Sequence, residues 1–326
     1  MSHPQHEALK QFSHQINFAL QNYTPHGVKA ADIKQIIIAG LGGSGIGGRL
    51  ASSFFVQSAT VPIACISDYT LPGYAGHDTL VILSSYSGNT EETLSVYEDA
   101  VKRGCKLLAL TSGGKLKQLC EQSGVKNYTL QPGFQPRMAL GFSLTYLLQI
   151  LGEMFGREVQ AELAAVATAV ANTAHYEEDA TQAFNSVKAK ARSKFVVITD
   201  ASYEAVGIRF CQQIQENAKH ECFNHVVPEM NHNVIESYYG QLDTVYFFIH
   251  ANAHDRVASR FEFLQNLLEV ENNKVVNIIT DGFSIKEVYE VIYTLDWLSL
   301  YVADQRRVDS LNVPNIASLK NFLDQV

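Results

Sequence analysis

The sequence predicts an α/β protein made of two similar doubly wound parallel-sheet domains joined by helices. Three observations carry that reading. From residue 35 short β-branched runs alternate with helix-periodic segments. From Met138 to about Val187 no strand pattern occurs. From residue 194 the alternation restarts with the same order of elements. Strands that alternate with helices at this spacing pair in parallel and carry helices on both faces.

Each element has its own signal. "QIIIAG" (35–40) is a β-branched run ending in glycine, and "GIGGRLASSFFVQ" after it has apolar residues at helical spacing. "VPIACI" (61–66), "DTLVILSS" (78–85) and "CKLLALTS" (105–112) read as strands. "EETLSVYEDAVKRG" (91–104) has acids in its first turn, Lys102 and Arg103 in its last, and Gly104 as its stop, which is how helices are punctuated. "MALGFSLTYLLQILGEMF" is helix-periodic and apolar, and "GREVQAELAAVATAVANTA" is alanine-rich and helical; the two are expected to link the halves. The second half then offers strands at "KFVVITD" (194–200), "TVYFFIH" (244–250) and "KVVNIIT" (274–280). Helices are expected at "SYEAVGIRFCQQIQENA" (202–218), at "RVASRFEFLQNLLEV" and in both tail segments. The expected division is an N-terminal domain at 1–155 and a C-terminal domain at 156–326.

Composition narrows the partners. The chain has 326 residues and a net charge of −8, which repels nucleic acid and anionic membrane, so neither is expected to bind. Five cysteines without a C-x-x-C pair suit a reducing compartment. The N-terminus has no apolar core, and no apolar run approaches the roughly 20 residues that span a bilayer. A soluble cytoplasmic protein is expected.

Two loops carry the chemistry. Gly40-Leu41-Gly42-Gly43-Ser44-Gly45 fits G-x-G-x-x-G at a strand end, where glycines let backbone amides approach an anion and the next helix adds its positive pole. That pattern alone is weak. With Asp68 near the end of the next strand it also suits a dinucleotide. "ILSSYSGNTEET" (82–93) is more telling, because Ser85, Ser87 and Thr90 crowd another strand-to-helix turn. Hydroxyls with helix amides satisfy one compact phosphate. Asn89 or Thr90 could equally be a plain helix cap. Paired with Ser44, the cluster favours a phosphate, and a dinucleotide leaves it unexplained.

"GLGGSG" followed by "SSYSGNTEET" resembles the sugar isomerase (SIS) domain. "ISDYTLP" (66–72), "FQPRMALGFSL" (134–144), "QENAKH" (215–220) and "PEMNHNVIESY" (228–238) follow in order. Together they resemble the bifunctional phosphoglucose/phosphomannose isomerases, a group with two SIS domains, over nearly the whole chain. The resemblance implies SIS-type, flavodoxin-like domains. It also implies an aldose–ketose isomerase that interconverts glucose 6-phosphate, and mannose 6-phosphate, with fructose 6-phosphate through a cis-enediol. Gly43, Ser44, Ser85, Ser87 and Thr90 are its expected phosphate-binding residues.

Four side chains are the candidate catalytic residues. Glu216 lies late in a helix, where a lone glutamate is ordinarily solvated; the resemblance puts the family's base there, with Glu221 a lesser neighbour. His232, one of 11 histidines, stands in a polar frame of Asn231 and Asn233, and an imidazole can protonate a ring oxygen near neutral pH. In relatives the equivalent histidine reaches the neighbouring subunit's site, which implies a homodimer with His232 shared. Arg137 follows Pro136 at a helix start, where the dipole opposes a cation; a guanidinium beside C1–C2 steadies an enediolate. Lys320 fits a family lysine by position only. The segment before it, "VDSLNVPNIASLK", lacks the threonine associated with mannose acceptance, leaving Ser310 or Asn312 in its place. His250 and His254 have the i, i+4 spacing of a metal pair but straddle a strand end and a loop. No metal or cofactor is expected for acid–base chemistry of this kind. The alternative reading is a non-catalytic phosphosugar-binding regulatory protein.

Overall fold

The computed structural model describes residues 4–251, 254–323 and 325. The chain divides into two compact units. One holds Lys10–Ala171 with Ser284–Lys286, and the other holds residues up to Leu9, Asn172–Phe283 and residues from Glu287 onward. The short first helix α1 (Pro4–Lys10) thus lies almost wholly in the C-terminal unit, where the His6 ring sits 5.6 Å from that of Trp297.

The N-terminal unit begins with α2 (Phe12–Asn22). Five strands follow: β1 (Gln35–Ala39), β2 (Ile63–Ile66), β3 (Thr79–Ser84), β4 (Lys106–Thr111) and β5 (Lys126–Thr129). The intervening helices are α3 (Gly42–Ser53), α4 (Glu91–Lys102) and α5 (Gly114–Ser123). The sheet order is β2-β1-β3-β4-β5 and every pairing is parallel, the flavodoxin-like arrangement. Because strand side chains alternate, Ile37, Val81, Leu83 and Ala109 meet α4 and α5 on one face, through Val96, Ala100 and Leu116. On the other face α3 comes so close that a Cβ on Gly48 would lie 2.7 Å from Ile38. Strand β2 starts at Ile63 rather than 61, because Pro62 has no N–H for a ladder; its carbonyl accepts the Ile36 amide at 2.9 Å.

Helix α6 (Leu140–Phe155) is buried almost throughout and stops at left-handed Gly156. The alanine-rich stretch forms two helices rather than one, α7 (Gln160–Val170) and α8 (Thr173–Val187), interrupted at Ala171-Asn172. Helix α2, which carries no strong sequence signal, packs on α6 and α7. Its buried Gln15 donates to the Met138 carbonyl at 2.6 Å and accepts from the Gly141 amide at 3.0 Å.

The C-terminal unit repeats the plan. Its strands are β6 (Lys194–Asp200), β7 (Cys222–Val227), β8 (Thr244–Ala251) and β9 (Lys274–Thr280), in the order β7-β6-β8-β9 and all parallel. Helix α9 (Glu204–Ala218) joins β6 to β7, and α10 (Asp255–Val270) joins β8 to β9. Helix α11 (Ile285–Arg306) follows β9, and α12 (Pro314–Leu323) ends the described chain. Val196, Ile198, Tyr246 and Phe248 pack against Phe261, Leu264 and Leu268 of α10. On the opposite face Phe210 of α9 meets Phe247 edge-on at 5.2 Å. Helix α11 holds α9 by a buried ion pair, Arg209 Nη2 to Asp296 Oδ2 at 2.5 Å, and by Asn217 Nδ2 donating to Ser299 Oγ at 2.9 Å. No helix among the described residues is long and apolar enough to cross a membrane.

Candidate active site

In open parallel sheets ligands gather beyond the strands' carboxyl ends, beside the switch in strand order. In the N-terminal unit that place lies between β1 and β3, which pair directly. The helices leaving both strands start without a side-chain cap: Leu41 precedes α3 and Thr90 precedes α4, and neither side chain bonds a first-turn amide. Bare helix N-termini offer donors and a positive pole to an anion.

The hydroxyls expected from the sequence gather here. Ser44 Oγ accepts the Tyr86 amide at 3.1 Å, tying the first loop to the second. Ser85 Oγ lies 2.8 Å from Thr90 Oγ1 and accepts the Gly88 amide at 3.1 Å. Ser87 is exposed, with Oγ accepting the Asn89 amide at 3.2 Å. Each hydroxyl keeps a proton to donate when it accepts in this way. Left-handed Gly88 (φ 70°) allows close approach of the loop after β4; a Cβ there would fall 1.9 Å from the Gly113 carbonyl oxygen.

Tyr86 organises this end of the sheet and had no signal in the sequence. Its carbonyl accepts the Ser112 amide at 3.0 Å and the Ser112 hydroxyl at 2.7 Å. Its phenol donates to the Gln131 carbonyl at 2.8 Å and accepts the Phe134 amide at 2.9 Å. One residue thus fastens the loops after β1, β3 and β4 to the segment leading to Arg137. Burial pushes its phenol pKa above the usual value.

Arg137 lies in a tight 3-10 turn, Pro136–Met138, and is 4% exposed. It is a buried guanidinium, not a surface residue. Gly43 makes room for the turn: a Cβ there would stand 2.9 Å from the Pro136 carbonyl oxygen and 3.1 Å from Arg137 Cα. Gln15 holds the following carbonyl from the other side. The N-terminal unit therefore brings together Gly43, Ser44, Ser85, Thr90 and the Arg137 backbone. Asp68 is exposed, and its Oδ1 accepts the adjacent Tyr69 amide at 2.6 Å.

Within the C-terminal unit Glu216 and His232 are separated. Helix α9 leaves the carboxyl end of β6 and must descend to start parallel β7, so Glu216 lies near the strands' amino ends. Gln215 Nε2 donates to the Cys222 carbonyl at 2.8 Å, and His220 Nε2 lies 2.6 Å from the Ser193 carbonyl, both at that end. Glu216 is half-buried. Arg306, from the end of α11, secures the turn after it by donating to the carbonyls of Ala218 at 2.9 Å and Lys219 at 3.4 Å.

His232 follows the carboxyl end of β7, in a 3-10 turn spanning Glu229–His232, and is exposed. The length of β7 puts the two ends about 20 Å apart. Its neighbours are braced: Arg260 donates to Asn231 Oδ1 at 3.2 Å, and Asn233 Nδ2 donates to Glu229 Oε1 at 3.2 Å. Beside them opens a cavity of about 360 Å³ lined by Asn231, Ile235, Arg256, Ser259, Arg260 and Phe263. Lys320 is exposed on α12, a helix with no buried residue. His250 and His254 part company: His250 is buried and stacks on Phe261 at 3.9 Å, whereas His254 caps α10 by accepting the Arg256 amide.

Residues 176–323 match the bacterial phospho-glucose isomerase C-terminal SIS domain. The chain is 35% identical over 312 residues to the bifunctional phosphoglucose/phosphomannose isomerase of Caldicellulosiruptor bescii, covering 92% of each chain. It is 32% identical over 300 residues to the enzyme of the same name from Aquifex aeolicus, covering 89% of this chain and 90% of that one. In fold it is similar to the C-terminal domain of glucosamine-fructose-6-phosphate aminotransferase from Francisella tularensis, with a TM-score of 0.76 at 13% identity over 95% of this chain and 98% of the other. The paired SIS-type sheets, the serine and glycine loops and the extent of these matches together establish that the chain belongs to the bifunctional phosphoglucose/phosphomannose isomerase family.

Proposed function

We propose that the protein interconverts glucose 6-phosphate and fructose 6-phosphate through a cis-enediol, and accepts mannose 6-phosphate at the same site. The observation that carries the phosphosugar reading is the pair of uncapped helix N-termini at β1 and β3, ringed by the Ser44, Ser85, Ser87 and Thr90 hydroxyls. Hydroxyls and main-chain amides, with that of Gly43, cradle the dianion. Glu216 takes the C2 proton and returns it to C1. Arg137 steadies the enediolate oxygens. His232 protonates the ring oxygen to open the sugar, and Lys320 assists there. In the segment 308–320, Ser310 or Asn312 stands in for the threonine associated with mannose acceptance.

The functional unit in this reading is a homodimer. What supports this is the placement of Glu216 near the amino ends of the C-terminal sheet and of His232 beyond its carboxyl ends, roughly 20 Å apart by the length of β7, farther than one small sugar spans. His232 then enters from a second copy, in the symmetric way that most homodimers share a site.

Turnover and subunit mixing test the reading together. Glu216→Gln lowers kcat for fructose 6-phosphate formation by at least about 10²-fold with KM near normal, and His232→Ala is similarly impaired. Mixing the two inactive variants under exchange restores roughly a quarter of wild-type activity, because one site per hybrid dimer receives an intact pair. Near-normal turnover by Glu216→Gln removes it as the base. Failure of the mixture to recover, with exchange verified, removes the shared histidine.

A further inference from the structure

A second basic concavity lies in the C-terminal unit, at the end of the sheet where Glu216 stands. Lys188, Ala191, Arg192, Gln305, Arg306 and Arg307 line a cavity of about 440 Å³. No carboxylate is among its lining residues. In a chain of net charge −8 such a concentration of cations is costly, because like charges gathered around low-dielectric walls repel. The C-terminal pole of α11 favours Arg306 and Arg307. The C-terminal pole of α8 likewise favours Lys188, its cap residue, but neither pole accounts for Arg192, four residues further on. Asp304 and Asp309 are equally near in sequence; Asp304 lies 3.3 Å from His6, and Asp309 accepts the Leu311 amide at 2.8 Å.

Arg306 is fixed as one wall. It donates to the carbonyls of Ala191, Ala218 and Lys219, at 3.2, 2.9 and 3.4 Å. Burial, and then the neighbouring Arg192 charge, lower its pKa; an anion between the two guanidiniums relieves that repulsion. Arg192 and Arg307 are exposed at the mouth and make no ion pair among the described residues. Guanidiniums converging on a cavity match phosphate oxygens in fork geometry.

We propose that this cavity binds a small polyanion carrying two phosphate groups, and that the bound anion acts through Arg306 on the turn that ends α9. Binding stands independently of the isomerase reading. The effect on turnover rests on that reading, since Glu216 precedes the Ala218 and Lys219 carbonyls that Arg306 holds.

Inorganic pyrophosphate is the probe, titrated calorimetrically into the full-length protein at fixed ionic strength. One site per chain is expected. The double variant Arg192→Gln/Arg307→Gln weakens it by at least about tenfold, while Ser85→Ala/Ser87→Ala leaves it unchanged. Lys188→Gln, a single exposed substitution, weakens it less. In steady-state assays pyrophosphate changes kcat in the wild type and not in the arginine variant, whose basal activity is normal. Unchanged affinity in the arginine variant overturns the site, as does loss of pyrophosphate binding in the serine variant. A binding site that persists without any kinetic effect overturns the coupling alone. Absence of isomerase activity altogether strikes the proposed function and leaves the calorimetric result standing.

Discussion

The two sheets share a topology at their first turn and finish it in opposite ways. In the N-terminal unit β1 runs into Gly40-Leu41-Gly42-Gly43, and α3 and α4 both start uncapped. In the C-terminal unit β6 ends on Asp200, 7% exposed. Its Oδ1 accepts the Ser202 amide at 2.8 Å, the Ser202 hydroxyl at 2.5 Å and the Tyr203 amide at 3.0 Å, and its Oδ2 accepts the Ala251 amide at 2.9 Å. Helix α9, like α3 and α4, starts without a side-chain cap, but the turn ahead of it is filled by the Asp200 carboxylate, whereas the first unit's turn holds glycines and no carboxylate. Strand order sets where a ligand can bind in such sheets; side chains decide whether the place is vacant or filled from within.

The comparison breaks most directly at Asp200. Asp200→Ala leaves its buried donors unsatisfied and costs about 3 kcal/mol of stability, read from urea or thermal unfolding. Asp200→Asn, which keeps an acceptor, costs less. KM for the phosphosugar stays within about twofold, since a plugged turn holds no substrate. A large KM effect with unchanged stability would show that the second turn is itself a ligand site and that the contrast is false.

At the open turn the effect is reversed. Ser85→Ala removes a hydroxyl that accepts the Gly88 amide and touches Thr90, and raises KM by about tenfold, on the order of 1.4 kcal/mol. Ser85 is 1% exposed, so some stability is lost as well. Ser87→Ala is the cleaner variant because Ser87 is exposed. A KM unmoved in both variants, with the fold intact, removes the serine loop from phosphate binding.

These two turns also mark the limit of what the sequence discloses. Glycines and hydroxyls at a strand end advertise an anion site because backbone approach and donor density are local properties. Their mutual fastening through Tyr86 is not, since its partners at Ser44, Ser112, Gln131 and Phe134 are set by the fold. The role of Asp200 is not local either, since in sequence a lone aspartate before a helix looks like an ordinary cap. Strands β5 and β7 carry little sequence signal for a related reason: both are edge strands, and Asn127, Asn224 and His225 interrupt their apolar pattern. The role candidates Glu216 and His232 are legible as residue types, but their separation follows from strand β7 and its parallel register. Gln15 carries no local signal, because it pins Met138 across more than a hundred residues of sequence.

The mildest difference between the units concerns acid. Burial lowers the pKa of His220, His225 and His250 in the C-terminal unit, and of His26 in the N-terminal unit, below the usual 6.5. A histidine with a depressed folded pKa binds its proton more readily when unfolded, so stability rises with pH through that window. The contribution is full above 6.5 and is lost as pH falls below it. Asp296 acts in the other sense, because burial raises its pKa and the folded state keeps that proton more firmly. His250, stacked on Phe261 beside the Asp200 turn, isolates the histidine effect. Replacing it with Phe flattens the fall in melting temperature between about pH 6.5 and 5, and hydrogen exchange in β8 reports the change locally. If the slope in His250→Phe matches that of the wild type, the acid sensitivity belongs to the other imidazoles and the plugged end of the C-terminal sheet has no part in it.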